Sequence, residues 1–187
     1  MDLSRLFHPR SIAVVGATDN GDHYGSQTLL NLAAVGFDGD VWGVNPRRTE
    51  AHGIPCFPAL SDLPGVPDAV VVAIPAAGVP GVIEEAGTLG CGGAVVFAAG
   101  FREGGHPELE AELRIAALRH ALPVCGPNCD GLIALHARAA LWGDALVLQE
   151  PGHVALVSQS GNLGSTRSRP GAGCGCTRRS RAATRRC

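Results

Sequence analysis

Residues 68–74 read Asp-Ala-Val-Val-Val-Ala-Ile and are closed by Pro75. A valine-rich, near-continuous apolar run of this length fits a strand buried on both faces, as strands of parallel sheets are. Upstream, Ser11-Ile12-Ala13-Val14-Val15 is a shorter apolar strand leading into a glycine-bearing loop, Gly16 to Gly25. A helix then fits 26–35, with Leu29, Leu30, Leu32 and Ala33 at helical spacing and Gly36 as its stop. The next strand, 40–44, is broken by Asn45-Pro46, and 53–57 is a short extended piece. Downstream the alternation continues: a helix over 79–89, a strand over 93–97, an amphipathic helix over 107–121 and a strand over 122–125. A last apolar segment, 153–157, reads as a sixth strand. Strands alternating with helices indicate a Rossmann-like, doubly wound α/β fold with a mainly parallel sheet, because parallel neighbours need helical crossovers. One domain is expected over 1–164.

The composition agrees with that fold. Of 187 residues, 45% are hydrophobic and only 17% charged, which excludes wholesale disorder. No apolar run approaches the roughly 20 residues that span a bilayer. Residues 1–10 lack the apolar core of a signal peptide, so a cytoplasmic protein is expected. Its seven cysteines are an odd set in a chain without a secretory signal, which argues against a disulfide framework. Cys125 and Cys129 are spaced C-x-x-x-C without a second ligand pair, and no metal site is assigned.

The last residues break the pattern. Residues 1–165 carry eight Arg against seventeen acids, a balance of −9, whereas 166–187 carry seven Arg and no acid. After Gly164 there is no Val, Ile, Leu, Met or aromatic residue. Such sequence cannot bury enough surface to offset its ordering entropy, so 165–187 is read as an Arg-rich disordered tail. The abrupt switch of alphabet further suggests that residues from about 165 onward are out of frame or unrelated to the domain. A nucleic-acid arm is disfavoured by the absence of Lys and of interleaved aromatics, and by the acidic body.

Open parallel sheets bind ligands at the carboxyl ends of their strands. Here those ends carry Gly16-Ala17-Thr18-Asp19, Val44-Asn45-Pro46-Arg47-Arg48, Ile74-Pro75-Ala76, Ala98-Ala99-Gly100-Phe101 and Gly126-Pro127-Asn128-Cys129. The first turn can bring backbone N–H groups to a phosphate at the following helix. Its glycines, Gly16, Gly21 and Gly25, are not spaced G-x-G-x-x-G, and no acid follows the second strand to hold an NAD ribose. Arg47 and Arg48 stand there instead and favour an additional phosphate.

Together these loops resemble the N-terminal CoA-binding domain of the NDP-forming acyl-CoA synthetases, relatives of the succinyl-CoA synthetase alpha subunit. The resemblance runs from LFHPRSIAVVGA (6–17) through VNPRR (44–48), DAVVVAIPA (68–76), VVFAAGF (95–101) and GPNCDGLI (126–133) to VALVSQSGNLG (154–164). It implies that CoA is the cofactor and that the five loops surround it. By position Arg47 or Arg48 would meet the nucleotide phosphates, and Asn128 and Cys129 would lie toward the pantetheine thiol. It also implies that Ser158, Ser160 and Gly161 begin a helix whose N-terminus faces a phosphohistidine. Ser160 is not a hydrolase nucleophile on this pattern, since Ser158 and Asn162 occupy the places of the two elbow glycines.

The family's phosphorylated histidine and ATP-grasp part have no counterpart in these residues, and none of the seven histidines carries over to the catalytic role. The expectation is a CoA-binding domain cut from such a ligase, inactive alone, whose partners are CoA or acyl-CoA and the missing ligase and ATP-grasp parts. No nucleic acid and no membrane are expected as partners. A stand-alone CoA-binding regulatory protein and an NAD(P)-dependent dehydrogenase domain, with Arg47 and Arg48 reading a 2′-phosphate, stay open as alternatives.

Overall fold

Val70, Val71 and Val72 are fully buried, and they alternate between two cores rather than sharing one. The computed structural model describes residues 2–146 and 150–159. Its elements are α1 (Ser4–Phe7), β1 (Ser11–Val15), α2 (Tyr24–Ala34), β2 (Asp40–Val44), β3 (Glu50–Ala51), β4 (Ile54–Phe57) and β5 (Ala69–Val72). There follow α3 (Val79–Leu89), β6 (Ala94–Val96), α4 (Pro107–Arg119), β7 (Val124–Cys125), β8 (Gly131–Ala134) and β9 (Ala139–Trp142).

Seven strands form one sheet in the order β3-β4-β2-β1-β5-β6-β7, parallel except for β3, and β8 with β9 forms a separate hairpin. On one face Ala13, Val15, Val70 and Val72 meet Val79, Ile83 and Ala86 of α3 and Leu113 and Ala116 of α4. On the other, Ile12, Val14, Ala69 and Val71 meet Leu29 and Leu32 of α2, Leu6 of α1 and Leu141 of β9. Side chains alternate across a strand, so covering both faces requires apolar residues at every position. That is why 69–72 carries no polar residue.

At the amino ends of the strands, a buried carboxylate ties the chain start to the sheet. Asp68 accepts from Arg5 Nε at 2.6 Å and from the Arg10 backbone N–H at 2.8 Å. Burial pushes the Asp68 carboxyl up, but the Arg5 and Arg10 donors outweigh it and hold it below the ordinary carboxylate range.

Two expectations need correcting. Residues 153–157 form no strand: Val154, Leu156 and Val157 are exposed, and no neighbour pairs with them among the described residues. A strand exists only when a neighbour supplies its ladder of hydrogen bonds, so an apolar run by itself is insufficient. The sixth parallel strand is instead β4, within the piece read as merely extended. Conversely, the hairpin β8–β9 escapes a reading of periodicity, because Gly-Leu-Ile-Ala and Ala-Ala-Leu-Trp suit helix and strand equally. It is fixed by polar anchors on α2. Asn31 Nδ2 donates to the Trp142 and Asp144 carbonyls at 3.0 and 2.8 Å, and Thr28 Oγ1 to Trp142 at 3.2 Å. The tail, 165–187, lies outside the described residues.

Candidate functional site

From β1 the chain winds outward through β2 to β4, then returns to β5 and winds the other way through β6 to β7. The order therefore reverses between β1 and β5, and their carboxyl ends open the crevice where such sheets take ligands. Gly16 leaves β1 with φ +90°, and its N–H donates to the Val44 carbonyl at 2.9 Å. A Cβ on Gly16 would collide with the Ala73 carbonyl oxygen, and one on Gly25 with the Gly16 carbonyl. The first turn of α2 is thus pressed against the end of β1, although the glycine spacing is not that of a dinucleotide fingerprint. α2 has no side-chain cap at its N-terminus, which leaves first-turn N–H groups at the crevice.

The loop after β2 divides its polar groups between structure and solvent. Asn45 Nδ2 donates to the Ala17 carbonyl at 2.8 Å, and its Oδ1 accepts from the Arg47 N–H at 2.9 Å. Its amide is consumed in bracing the turn. Arg48 pairs with Asp19 at 2.7 Å, and the other oxygen of Asp19 accepts from the His52 N–H at 2.6 Å. His52 Nε2 in turn lies 2.7 Å from Oγ of the buried Ser26. The exposed Arg47 side chain enters no ion pair among the described residues. Pro46 is exposed beside it.

Across the crevice, Ile74 packs against Gly16, and Pro75 and Ala76 begin the turn into α3. Ala99 is exposed, while Gly100, with φ +95°, donates its N–H to Glu103 Oε1 at 2.9 Å. Phe101, fully buried, anchors that loop. At the end of β7, Asn128 adopts φ +55° and donates its N–H to the Ala98 carbonyl at 2.9 Å. Cys129 Sγ lies 3.4 Å from the Val96 carbonyl and 4.0 Å from Cys125 Sγ. Contact with the Cys129 sulfur lowers the Cys125 thiol against the opposing effect of burial, while the Cys125 sulfur and burial push the Cys129 thiol up.

The five loops named from the sequence therefore lie along the carboxyl edge of one sheet. The sequence places Asp19 in the first turn without a role and does not assign Ser26 or His52 to the site; all three order the β1 and β2 loops, and a hydrogen bond between parts of the chain 33 residues apart leaves no local signal. Ser158 is described and exposed, whereas Ser160 and Gly161 lie outside the described residues. Among the described residues, no group of three or more His, Cys, Asp or Glu side chains could hold a metal ion, and no helix is long and apolar enough to cross a membrane.

These features define a Rossmann-like α/β domain whose strand order reverses between β1 and β5. The family described as "CoA binding domain" matches residues 10–134. Acetate–CoA ligase [ADP-forming] I of Archaeoglobus fulgidus is 38% identical over 165 residues, covering 85% of this chain and 23% of the ligase. Acetate–CoA ligase [ADP-forming] of Methanocaldococcus jannaschii is 34% identical over 160 residues, covering 86% and 22% respectively. The structure of the dinucleotide-forming acetyl-coenzyme A synthetase 1 of Ca. Korarchaeum cryptofilum, in complex with phosphate and ADP, superposes with a TM-score of 0.78 at 43% identity. It covers 89% of this chain and 36% of that one. The chain belongs to the CoA binding domain family and matches the N-terminal part of ADP-forming acetate–CoA ligases. It spans less than a quarter of the length of the two ligases.

Proposed function

We propose that the crevice binds coenzyme A, with the nucleotide end over the loops after β1 and β2 and the thiol at the end of β7. The observation that carries this is the unequal use of two adjacent arginines. Asp19 ties Arg48 into the loop wall, whereas Arg47 has no ion-pair partner among the described residues; the turn after β1 is so tight that a Cβ on Gly25 would strike Gly16. Arg47 is thus the cation open to a phosphate, and Gly16, Ala17 and Thr18 with the start of α2 supply backbone donors. Asn45 and Arg48 hold that wall, with Pro46 at its rim. Ile74, Pro75, Ala76, Ala99 and Gly100 border the pantetheine path, and Asn128 and Cys129 its thiol end. When bound, CoA supplies the thiol nucleophile.

In a whole enzyme this domain would serve an NDP-forming acyl-CoA synthetase of the cytoplasm. Ligase and ATP-grasp parts would make the acyl phosphate and relay phosphate through histidine, and Ser158, Ser160 and Gly161 would belong to the phosphohistidine pocket. The similarity to two ADP-forming ligases over most of this chain supports that assignment. The domain is read as 1–164, with the residues beyond it out of frame. Translating the same DNA in the other forward frames past codon 165 tests this: an apolar, helix-patterned continuation is expected, and patternless sequence in both frames refutes it.

Calorimetric titration with CoA, dephospho-CoA, NADP and NAD tests the ligand. Binding of CoA without NAD is expected, because the loop after β2 offers guanidiniums and no carboxylate for a ribose. NADP or NAD binding without CoA would establish the dehydrogenase reading instead.

A further inference from the structure

Two thiols stand together at the carboxyl end of β7, where both pack against one of the two cores. Cys125 and Cys129 are half-buried, with their sulfurs 4.0 Å apart, while Cys56 and Cys91 each lie in other parts of the fold. A disulfide needs the sulfurs to approach to about 2.05 Å, and the two residues are already side by side, with Cys129 Sγ also 3.6 Å from the Cys125 carbonyl. The pair also occupies a defined place. From β1, where the phosphate turn lies, to β7 there are three strand spacings, roughly 14 Å. That span suits an extended pantetheine arm, and on the CoA reading its sulfur would come to this end of the sheet.

We propose that Cys125 and Cys129 are a thiol–disulfide exchange pair whose substrate is the disulfide of CoA. The proposal rests on the CoA reading above. The Cys125 thiolate attacks one sulfur of the CoA disulfide; that S–S bond breaks, and one CoA leaves as a thiolate and takes up a proton. The Cys129 thiol then gives up its proton and attacks the Cys125 sulfur of the mixed disulfide. This forms the Cys125–Cys129 bond and releases the second CoA thiolate. Two protein thiols are oxidised and one CoA disulfide is reduced to two thiols, with no other oxidant. The order of attack follows the opposite shifts of the two thiols: contact with the Cys129 sulfur lowers Cys125, whereas the Cys125 sulfur and burial push Cys129 up, so Cys125 is the readier nucleophile.

The test incubates the reduced full chain with CoA disulfide or, separately, glutathione disulfide, and reads released thiol together with a tryptic map. Arg119 and Arg138 bracket both cysteines, so one peptide, 120–138, reports the pair apart from every other cysteine. In the unsubstituted protein that peptide is expected to lose two hydrogens and keep no CoA. C129S should retain one CoA moiety on Cys125, and C125S should react about tenfold more slowly or less. CoA disulfide should outpace glutathione disulfide by about tenfold or more, and R47A should slow only the CoA compound. A 120–138 peptide that stays reduced, or keeps CoA without closing, overturns the exchange pair; calorimetric CoA binding by the same sample would then leave the CoA reading standing. Equal rates with both disulfides, in a protein that binds no CoA, would overturn both.

Discussion

The carbonyl of Gly16 lies so close to Gly25 that a Cβ on Gly25 would overlap it, which fixes the start of α2 against the end of β1. Both atoms of the clash on the Gly16 side are backbone, so neither can rotate away. G25A should therefore destabilise the domain by about 1–3 kcal/mol and weaken CoA. G21A, in the same loop with nothing within 4 Å of the new methyl, should change neither. Urea unfolding midpoints and calorimetric titration of both variants provide the comparison; equal behaviour would mean that the turn yields easily.

The two arginines after β2 should separate in the same assay. R47A is expected to weaken CoA by about tenfold or more with an unchanged unfolding midpoint, since a charge-assisted hydrogen bond to phosphate contributes about 1.5–3 kcal/mol. Dephospho-CoA should lose less if Arg47 meets the 3′-phosphate. R48A releases Asp19 and should act mainly through the order of the loop, so D19A should reproduce its effect. Matching CoA affinity in R47A and the unsubstituted protein would contradict the assignment.

Asp68 makes stability depend on acid. Its carboxyl is held below the ordinary range, so the stabilisation is complete above the unfolded-state value of 3.8 and is lost as pH falls through the lower folded value. D68N should cost about 2 kcal/mol at neutral pH, because Arg5 loses its charged acceptor. The gap between the two proteins should narrow steadily below about pH 4. A gap that is constant from pH 7 to pH 3 would show that the charge is irrelevant.

This chain by itself should not make acetyl-CoA from acetate, ATP and CoA. Phosphoryl transfer needs metal-bound nucleotide phosphates and a positioned acceptor, and the sequence has no P-loop and no histidine matching the family's acceptor. Product formation proportional to protein concentration, followed by chromatography, would reveal a catalytic group that neither the sequence nor the fold identifies.

The reach of the sequence can be judged from particular elements. The run 68–74 identified a strand covered on both faces, because side-chain alternation makes burial on two faces visible in a single string of residues. The residues at the strand ends followed, since the crevice of a doubly wound sheet lies at carboxyl ends wherever the strands are. Residues 153–157 show the limit: their apolar pattern is that of a strand, yet they lie exposed and pair with no strand among the described residues.

What the sequence by itself determined was the alternation of strand and helix, the loops at the carboxyl edge and the family they resemble. Only the tertiary structure decided which arginine is paired, which apolar runs find a partner strand, and that two thiols meet. Periodicity is written in neighbouring residues and survives without the fold. Pairing is not: Arg48 meets Asp19 across 29 residues and Asn31 meets Trp142 across 111, so these contacts exist only once the sheet has brought distant segments together.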